Sequence, residues 1–128
     1  MRKLKALALT GLVVGAVTVV GAAPAQAALP TASPDFCWTV AYAPTYSASG
    51  QIVYEGGVQC YGNVRDLDVS VELEVDGSFA ASTDKECSGV SRCFDLGLYP
   101  NRSGNQKWCT VVYAIHLSTR RTCETAGF

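Results

Sequence analysis

The stretch Asp66-Leu-Asp-Val-Ser-Val-Glu-Leu-Glu-Val-Asp-Gly77 places Leu67, Val69, Val71, Leu73 and Val75 on odd positions and acids or serine on even ones. A period of two puts the aliphatic side chains on one face of a strand and the polar ones on the other, the pattern of a half-buried β-strand. The Asp76-Gly77-Ser78 sequence that ends it is a tight-turn signal, returning the chain antiparallel through Phe79 to Thr83.

The rest of the chain reads in the same way. Phe36 to Ala43 is rich in β-branched and aromatic residues, and Pro44 to Gly50 reads as a connection. Gln51 to Gly62 is a further strand, in which Gly56 and Gly57 mark an expected bulge or break. Phe94 to Pro100 is a short strand, Asn101 to Gln106 a polar loop and Lys107 to Leu117 a longer strand. Ser118 to Phe128 forms either a last strand or a stapled tail. About seven short strands with no helical periodicity give the expected fold: an all-β, small antiparallel β-sandwich of immunoglobulin-like architecture.

The N-terminus sets the compartment. Arg2, Lys3 and Lys5 precede an apolar run from Ala6 to Ala23, and Ala25-Gln-Ala27 is a small-residue cleavage site. This is the layout of a secretory signal peptide over 1–27. The competing reading, a membrane anchor, is disfavoured by the charged start, the glycines and the Ala-x-Ala end. Removal of 1–27 leaves 101 residues, 28–128, with three fewer of the ten basic residues and all eleven acidic ones, a balance of 7 − 11 = −4. That balance argues against a general nucleic-acid surface, leaving only Arg120 and Arg121 as a small basic patch.

All six cysteines, Cys37, Cys60, Cys87, Cys93, Cys109 and Cys123, fall in this part. An even number in a short exported chain reads as three disulfides. Cys87 with Cys93, closing the short loop Cys87-Ser-Gly-Val-Ser-Arg-Cys93, is the best single pairing. Cys37 with Cys60 and Cys109 with Cys123 would each staple neighbouring strands, and crossed links such as Cys60 with Cys109 remain open from sequence. Zinc would require clustered thiols with histidine support, whereas the closest pair, Cys87 and Cys93, has five residues between its members and His116 is the single histidine. No metal and no cofactor are expected.

Catalytic readings find little support in the residues. Glu72 and Glu74 are spaced along one face of a strand like the carboxyls of an inverting glycosidase, but such a pair needs a cleft that keeps one acid protonated. A calcium ion needs converging oxygens from a curved loop. The acid row therefore reads as a solvated face, with an acidic docking face or an aggregation-deterring edge as alternatives. A serine triad would rest on His116, which falls in the alternating run Val111 to Leu117, and no nucleophile elbow precedes a helix. The expectation is a protein without enzymatic activity.

Binding remains. Residues 28–36, Ala28, Leu29, Pro30, Thr31, Ala32, Ser33, Pro34, Asp35 and Phe36, read as an extended arm ahead of the domain at 37–128; it could enter a groove on a partner or be a disordered terminus. Of the aromatic residues, Trp38 and Trp108, each beside a cysteine, are assigned to packing, and Tyr46 in its loop to the surface. The expected partner is a protein outside the cell, with no nucleic acid and no stable membrane insertion; glycan binding through tyrosines is a secondary option. Inhibition of a protease through Arg102 or the arm is another.

The strand ending in Cys60, the valine-rich strand, the Cys87–Cys93 loop, Trp108-Cys109 and the terminal Thr122-Cys-Glu-Thr-Ala-Gly-Phe128 together resemble small secreted actinobacterial proteins of β-sandwich type. Within that group the chain resembles the small adaptor subunit of umbrella toxin particles. The resemblance covers most of 28–128 and rests on scaffold features. It implies an adaptor that joins a lectin-bearing subunit to a large polypeptide in an antibacterial toxin complex, with the segment before the domain serving attachment.

Overall fold

The structure, a computed structural model, describes residues 28–33 and 35–128. The signal-peptide segment 1–27 and Pro34 lie outside the described residues. Eight strands run in chain order as β1 (Cys37–Ala41), β2 (Thr45–Tyr46), β3 (Gln51–Val64), β4 (Leu67–Val75), β5 (Ser78–Cys87), β6 (Val90–Pro100), β7 (Gln106–Ala114) and β8 (Arg120–Ala126). Every pairing is antiparallel. In sheet A, β3 is flanked by β1 and β2 on one edge and β6 on the other; sheet B has the order β5-β4-β7-β8. The chain changes sheet between β3 and β4, β5 and β6, and β6 and β7, an immunoglobulin-like sandwich.

The Asp66–Gly77 stretch organises sheet B. Its odd-numbered aliphatic residues are all buried, and β4 is held between β5 and β7. The acid row therefore lies on a central strand, which removes the edge-protection reading. Asp76 and Gly77 form the two-residue hairpin loop, both with positive φ (51° and 81°), the type I′ geometry whose twist suits antiparallel strands. The core closes where Ile52, Tyr54, Val58 and Val64 of β3 meet Leu67, Val71 and Leu73 of β4 and Trp108 and Val112 of β7.

Gly56 and Gly57 are neither bulge nor break. The β3–β6 ladder runs unbroken from Gln51–Pro100 to Gln59–Arg92, and the register shifts only between Gln59 and Val64. The glycines are there for space. A Cβ on Gly56 would collide with a Val112 methyl of the facing sheet and lie 2.7 Å from the Val40 carbonyl oxygen, and one on Gly57 would run into the backbone of Cys93 and Phe94. Gly97 plays the same part opposite Tyr54, whose ring occupies the position of the missing side chain.

Several elements differ in extent from the sequence expectation. A two-residue strand, Thr45–Tyr46, forms within the expected connection, because those residues reach the β3 edge beyond the end of β1. β6 begins at Val90 inside the presumed cysteine loop, leaving only Ser88 and Gly89 as the turn. β7 stops at Ala114, so His116 sits in the following turn with φ 63° and not in a strand. The chain end is the strand β8, closed by Phe128, whose ring stacks on Tyr46 (centroids 5.9 Å apart) and packs near Trp108.

Three disulfides form: Cys37–Cys60, Cys87–Cys93 and Cys109–Cys123. The first and third join directly opposed residues of neighbouring strands within one sheet. The second ties β5 to β6, hence sheet B to sheet A, at one corner. Three such links fit an oxidising environment.

Candidate functional site

Sheet B presents the acid row. Asp68, Glu72 and Glu74 of β4 share the outer face with Asp84 and Glu86 of β5, and Asp68 stands directly opposite Glu86. Like charges in that relation destabilise a sheet slightly. The row is not uniformly wet: the Glu74 side chain is only 12% exposed, and Arg121 of β8 donates from Nη1 and Nη2 to its two carboxylate oxygens at 2.5 and 2.9 Å. Val111 and Cys109 also point outward here, yet both are buried among the long side chains of their neighbours. Partial removal from water, then the nearby carboxylates of Glu72 and Glu74, push the Tyr113 phenol above its ordinary range, with Arg121 acting in the opposite direction. Among the described residues no group of three or more His, Cys, Asp or Glu side chains is placed to hold a metal ion. Glu72 and Glu74 project from the same side of β4, and neither lines the pocket on this face, which Asp68, Ser70, Asp84, Glu86 and Tyr113 border, whereas a glycosidase pair flanks a cleft.

The outer face of sheet A has the opposite character. In β6 the register pairs Cys93 with Val58 and Gly97 with Tyr54, which turns the odd-numbered residues toward the core. Arg92, Phe94, Leu96 and Leu98 consequently point outward, so this strand shows its larger apolar side chains to solvent. Trp38, Val40 and Tyr42 continue the surface across β1 and beyond it, and Tyr61 follows from β3. Trp38 is 42% exposed, Tyr42 46%, Tyr61 81%, Leu96 48% and Leu98 51%. Trp38 and Tyr61 lie against each other (centroids 5.1 Å), Tyr42 approaches Phe94 (6.0 Å), and the Arg92 guanidinium covers the Phe94 ring at 4.1 Å. Trp38 is thus a surface residue, contrary to its assignment to packing: alternation from Cys37, which points inward to Cys60, requires its neighbour to point out. Trp108 is fully buried as expected.

The five exposed side chains leave on the order of 500 Å² of apolar surface, taking about 200 Å² for each when fully exposed. The largest apolar patch on an ordinary monomer is about 300 to 600 Å² and is often functional, which makes this face the candidate interaction surface. Sheet B hides Val111 and Cys109 but exposes Phe79 (64%) and Tyr113 (38%) on its outer face; on sheet A the exposed apolar side chains are more numerous.

The remaining predicted residues are dispersed. Ala28 to Ser33 lie along the body: the Arg65 N–H donates to the Pro30 carbonyl at 2.8 Å, Ala32 packs on the core, and Leu29 lies beside Gly89. The Phe36 and Cys37 N–H groups both bond the Ser33 carbonyl, the Tyr61 N–H bonds the Phe36 carbonyl, and the Phe36 ring sits over Gly62. Asp35 is exposed in the turn between. The described part of the arm is therefore laid against its own domain. Tyr46, half-exposed, stacks on Phe128 at the opposite end of β3 and does not join the Trp38–Tyr61 surface. The Arg102 guanidinium folds back to Tyr99, donating to its hydroxyl at 2.7 Å. A groove of about 410 Å³ runs between β1 and the turn from Leu117 to Arg120, spanned by a hydrogen bond from the Thr39 hydroxyl to the Ser118 carbonyl.

Compared with protein-family models, curated proteins and solved structures, the chain matches none.

Proposed function

We propose that this chain is an exported, non-catalytic interaction module whose working surface is the outer face of sheet A, and that its partner is a protein. Export follows from the N-terminal pattern of 1–27 and accords with three disulfides. The observation that carries the binding reading is the outward phase of β6. Leu96 and Leu98, each about half exposed, forgo part of the about 1.5 to 3 kcal/mol that full burial of such a side chain contributes, and a partner that covers them recovers it. Gln59 and Glu55 on the central strand β3, with Arg92 on β6, set polar groups among the apolar ones, which favours a specific protein partner.

The narrower reading, an adaptor between a lectin-bearing subunit and a large polypeptide in an antibacterial toxin complex, rests on the resemblance and is supported by two chemically distinct faces, one apolar and one acidic, on opposite sides of the body. A glycan-binding reading finds its support in the tilted Trp38–Tyr61 pair and not in Tyr46, whose ring is stacked on Phe128.

The test is capture from culture supernatant by the immobilised, oxidised 28–128 protein. Leu96→Glu with Leu98→Glu should abolish capture, while Glu86→Gln on the acidic face should leave it unchanged. Capture that survives the paired sheet A substitutions would refute this surface as the binding site.

A further inference from the structure

We infer that the outer face of sheet A pairs with the same face of a second copy of this chain, giving a two-fold symmetric, four-layered dimer. The inference rests on the reading of that face as the protein-binding surface and names its occupant.

A closed two-fold interface must be complementary to itself: whatever one copy offers on one side of the axis, it must accept on the other. The charges on this face meet that condition. Two ionised side chains, Glu55 and Arg92, stand on the outer side of the β3–β6 ladder, Glu55 opposite Leu96 and Arg92 opposite Gln59. The four residue steps from 55 to 59 span about 13 Å along the strand, too far for Glu55 and Arg92 to pair within one copy. Among the described residues neither has an ion-pair partner. Between them lie Gly57 and Phe94, where the absent side chain and the flat ring under Arg92 leave a low centre. A two-fold axis in the plane of the interface, running across the strands between the two charges, sets Arg92 of each copy over Glu55 of the other. The sheets then face each other with their strands close to aligned, the common way for two sheets to pack.

The distribution of the remaining charge favours the same arrangement. The acids of Asp68, Glu72, Glu74, Asp84 and Glu86 all lie on the far side of the body. With sheets stacked about 10 Å apart, face-to-face pairing separates the two acidic surfaces by roughly 30 Å, several times the Debye length of about 8 Å at physiological ionic strength. Two chains of net charge −4 therefore meet on their nearly neutral sides. The apolar surface on the order of 500 Å² per copy, about 1,000 Å² for the pair, reaches the lower limit of a specific interface.

Sedimentation velocity on the oxidised 28–128 protein across a concentration series reads the dimer directly. The wild type should show a concentration-dependent monomer–dimer equilibrium, weakened at least tenfold by either Arg92→Glu or Glu55→Arg, since each brings like charges together twice. Mixing those two variants should restore dimers, because both cross-contacts then join opposite charges, and the double variant Arg92→Glu, Glu55→Arg should dimerise alone. Near-ultraviolet circular dichroism of each variant establishes that it is folded. A wild type that stays monomeric to several hundred micromolar, or single reversals without effect, or a mixture that fails to recover would overturn the inference. A monomer that still captures another protein through Leu96 and Leu98 would refute self-pairing while leaving the binding reading intact; neither dimer nor capture would remove both.

Discussion

Replacing Gly56 by alanine adds a single methyl group, and the structure predicts that this one carbon is damaging. The added Cβ points into the core from the middle of β3, where it would overlap a Val112 methyl and stand 2.7 Å from the Val40 carbonyl oxygen and 3.4 Å from the Ala41 Cα. The valine can rotate or yield; the carbonyl belongs to the β1–β3 ladder and cannot retreat without breaking it. Overpacking of this kind costs about 1 to 3 kcal/mol. Alanine also lowers the entropy of the unfolded chain, a gain of roughly 0.4 to 1 kcal/mol. A net loss of about 1.3 kcal/mol follows, lowering the melting temperature of a domain this size by roughly 5 to 10 °C. Guanidinium unfolding monitored by tryptophan fluorescence, with the disulfides intact, measures the change. Val112→Ala in the same chain should recover only the part due to the methyl contact, so that the double-mutant cycle leaves a residual penalty from the backbone. A Gly56→Ala protein as stable as the wild type, or full rescue by Val112→Ala, would show that the sheets have more room at this point than described.

Two further predictions concern the covalent links and the buried phenol. Pairwise replacement of each disulfide by alanines should destabilise in the order of the loop closed, with sequence separations of 23, 14 and 6 residues for Cys37–Cys60, Cys109–Cys123 and Cys87–Cys93; a chain-entropy estimate gives about 3.4, 3 and 2.2 kcal/mol. Denaturant titration checks the ranking, and a largest loss at Cys87–Cys93 would contradict it. Burial, and secondarily the Asp95 carboxylate, raise the Tyr54 phenol above its ordinary range. The native state thus holds this proton more tightly than the unfolded chain, a contribution complete below the unfolded value near 10 and lost as pH climbs through the native one. Alkaline unfolding should be displaced toward higher pH in Tyr54→Phe, and a rise in phenolate absorbance should accompany unfolding of the wild type; Tyr54 ionising with the exposed tyrosines would refute the assignment.

Much of the architecture is legible in the residues because β4 combines three agreeing signals: alternation, β-branched content and an Asp-Gly turn. Those signals are local, and β4 is buried on the side that its pattern names. The apolar outer face of sheet A was not legible for the opposite reason. Phe94, Leu96 and Leu98 alternate as cleanly as the β4 valines, but periodicity gives two faces without saying which meets the core. That choice is made by long-range register, through Cys93 against Val58 and Tyr54 against Gly97. A small residue alternating with large ones, Gly97 between Leu96 and Leu98, is the trace of it in the sequence. The two glycines of β3 were ambiguous in the same manner: a missing side chain signals either a bend or a close neighbour, and only the Val40 carbonyl and Val112 methyl at Gly56, and the Cys93–Phe94 backbone at Gly57, decide. The acid row kept its solvated side in part, yet its central position and the grip of Arg121 on Glu74 depend on β8, far along the chain.

The placement of two disulfides has a mechanical consequence. β1 and β8 are the outermost strands nearest the two chain ends, and strands so placed are ordinarily peeled away one hydrogen bond at a time when an end is pulled. Here tension entering at the arm passes through Cys37 straight into Cys60 in the middle of sheet A, and tension entering beyond β8 passes through Cys123 into Cys109. A tethered copy would carry load through sulfur and the central strands, keeping its shape under pulls that would unzip an unstitched sandwich.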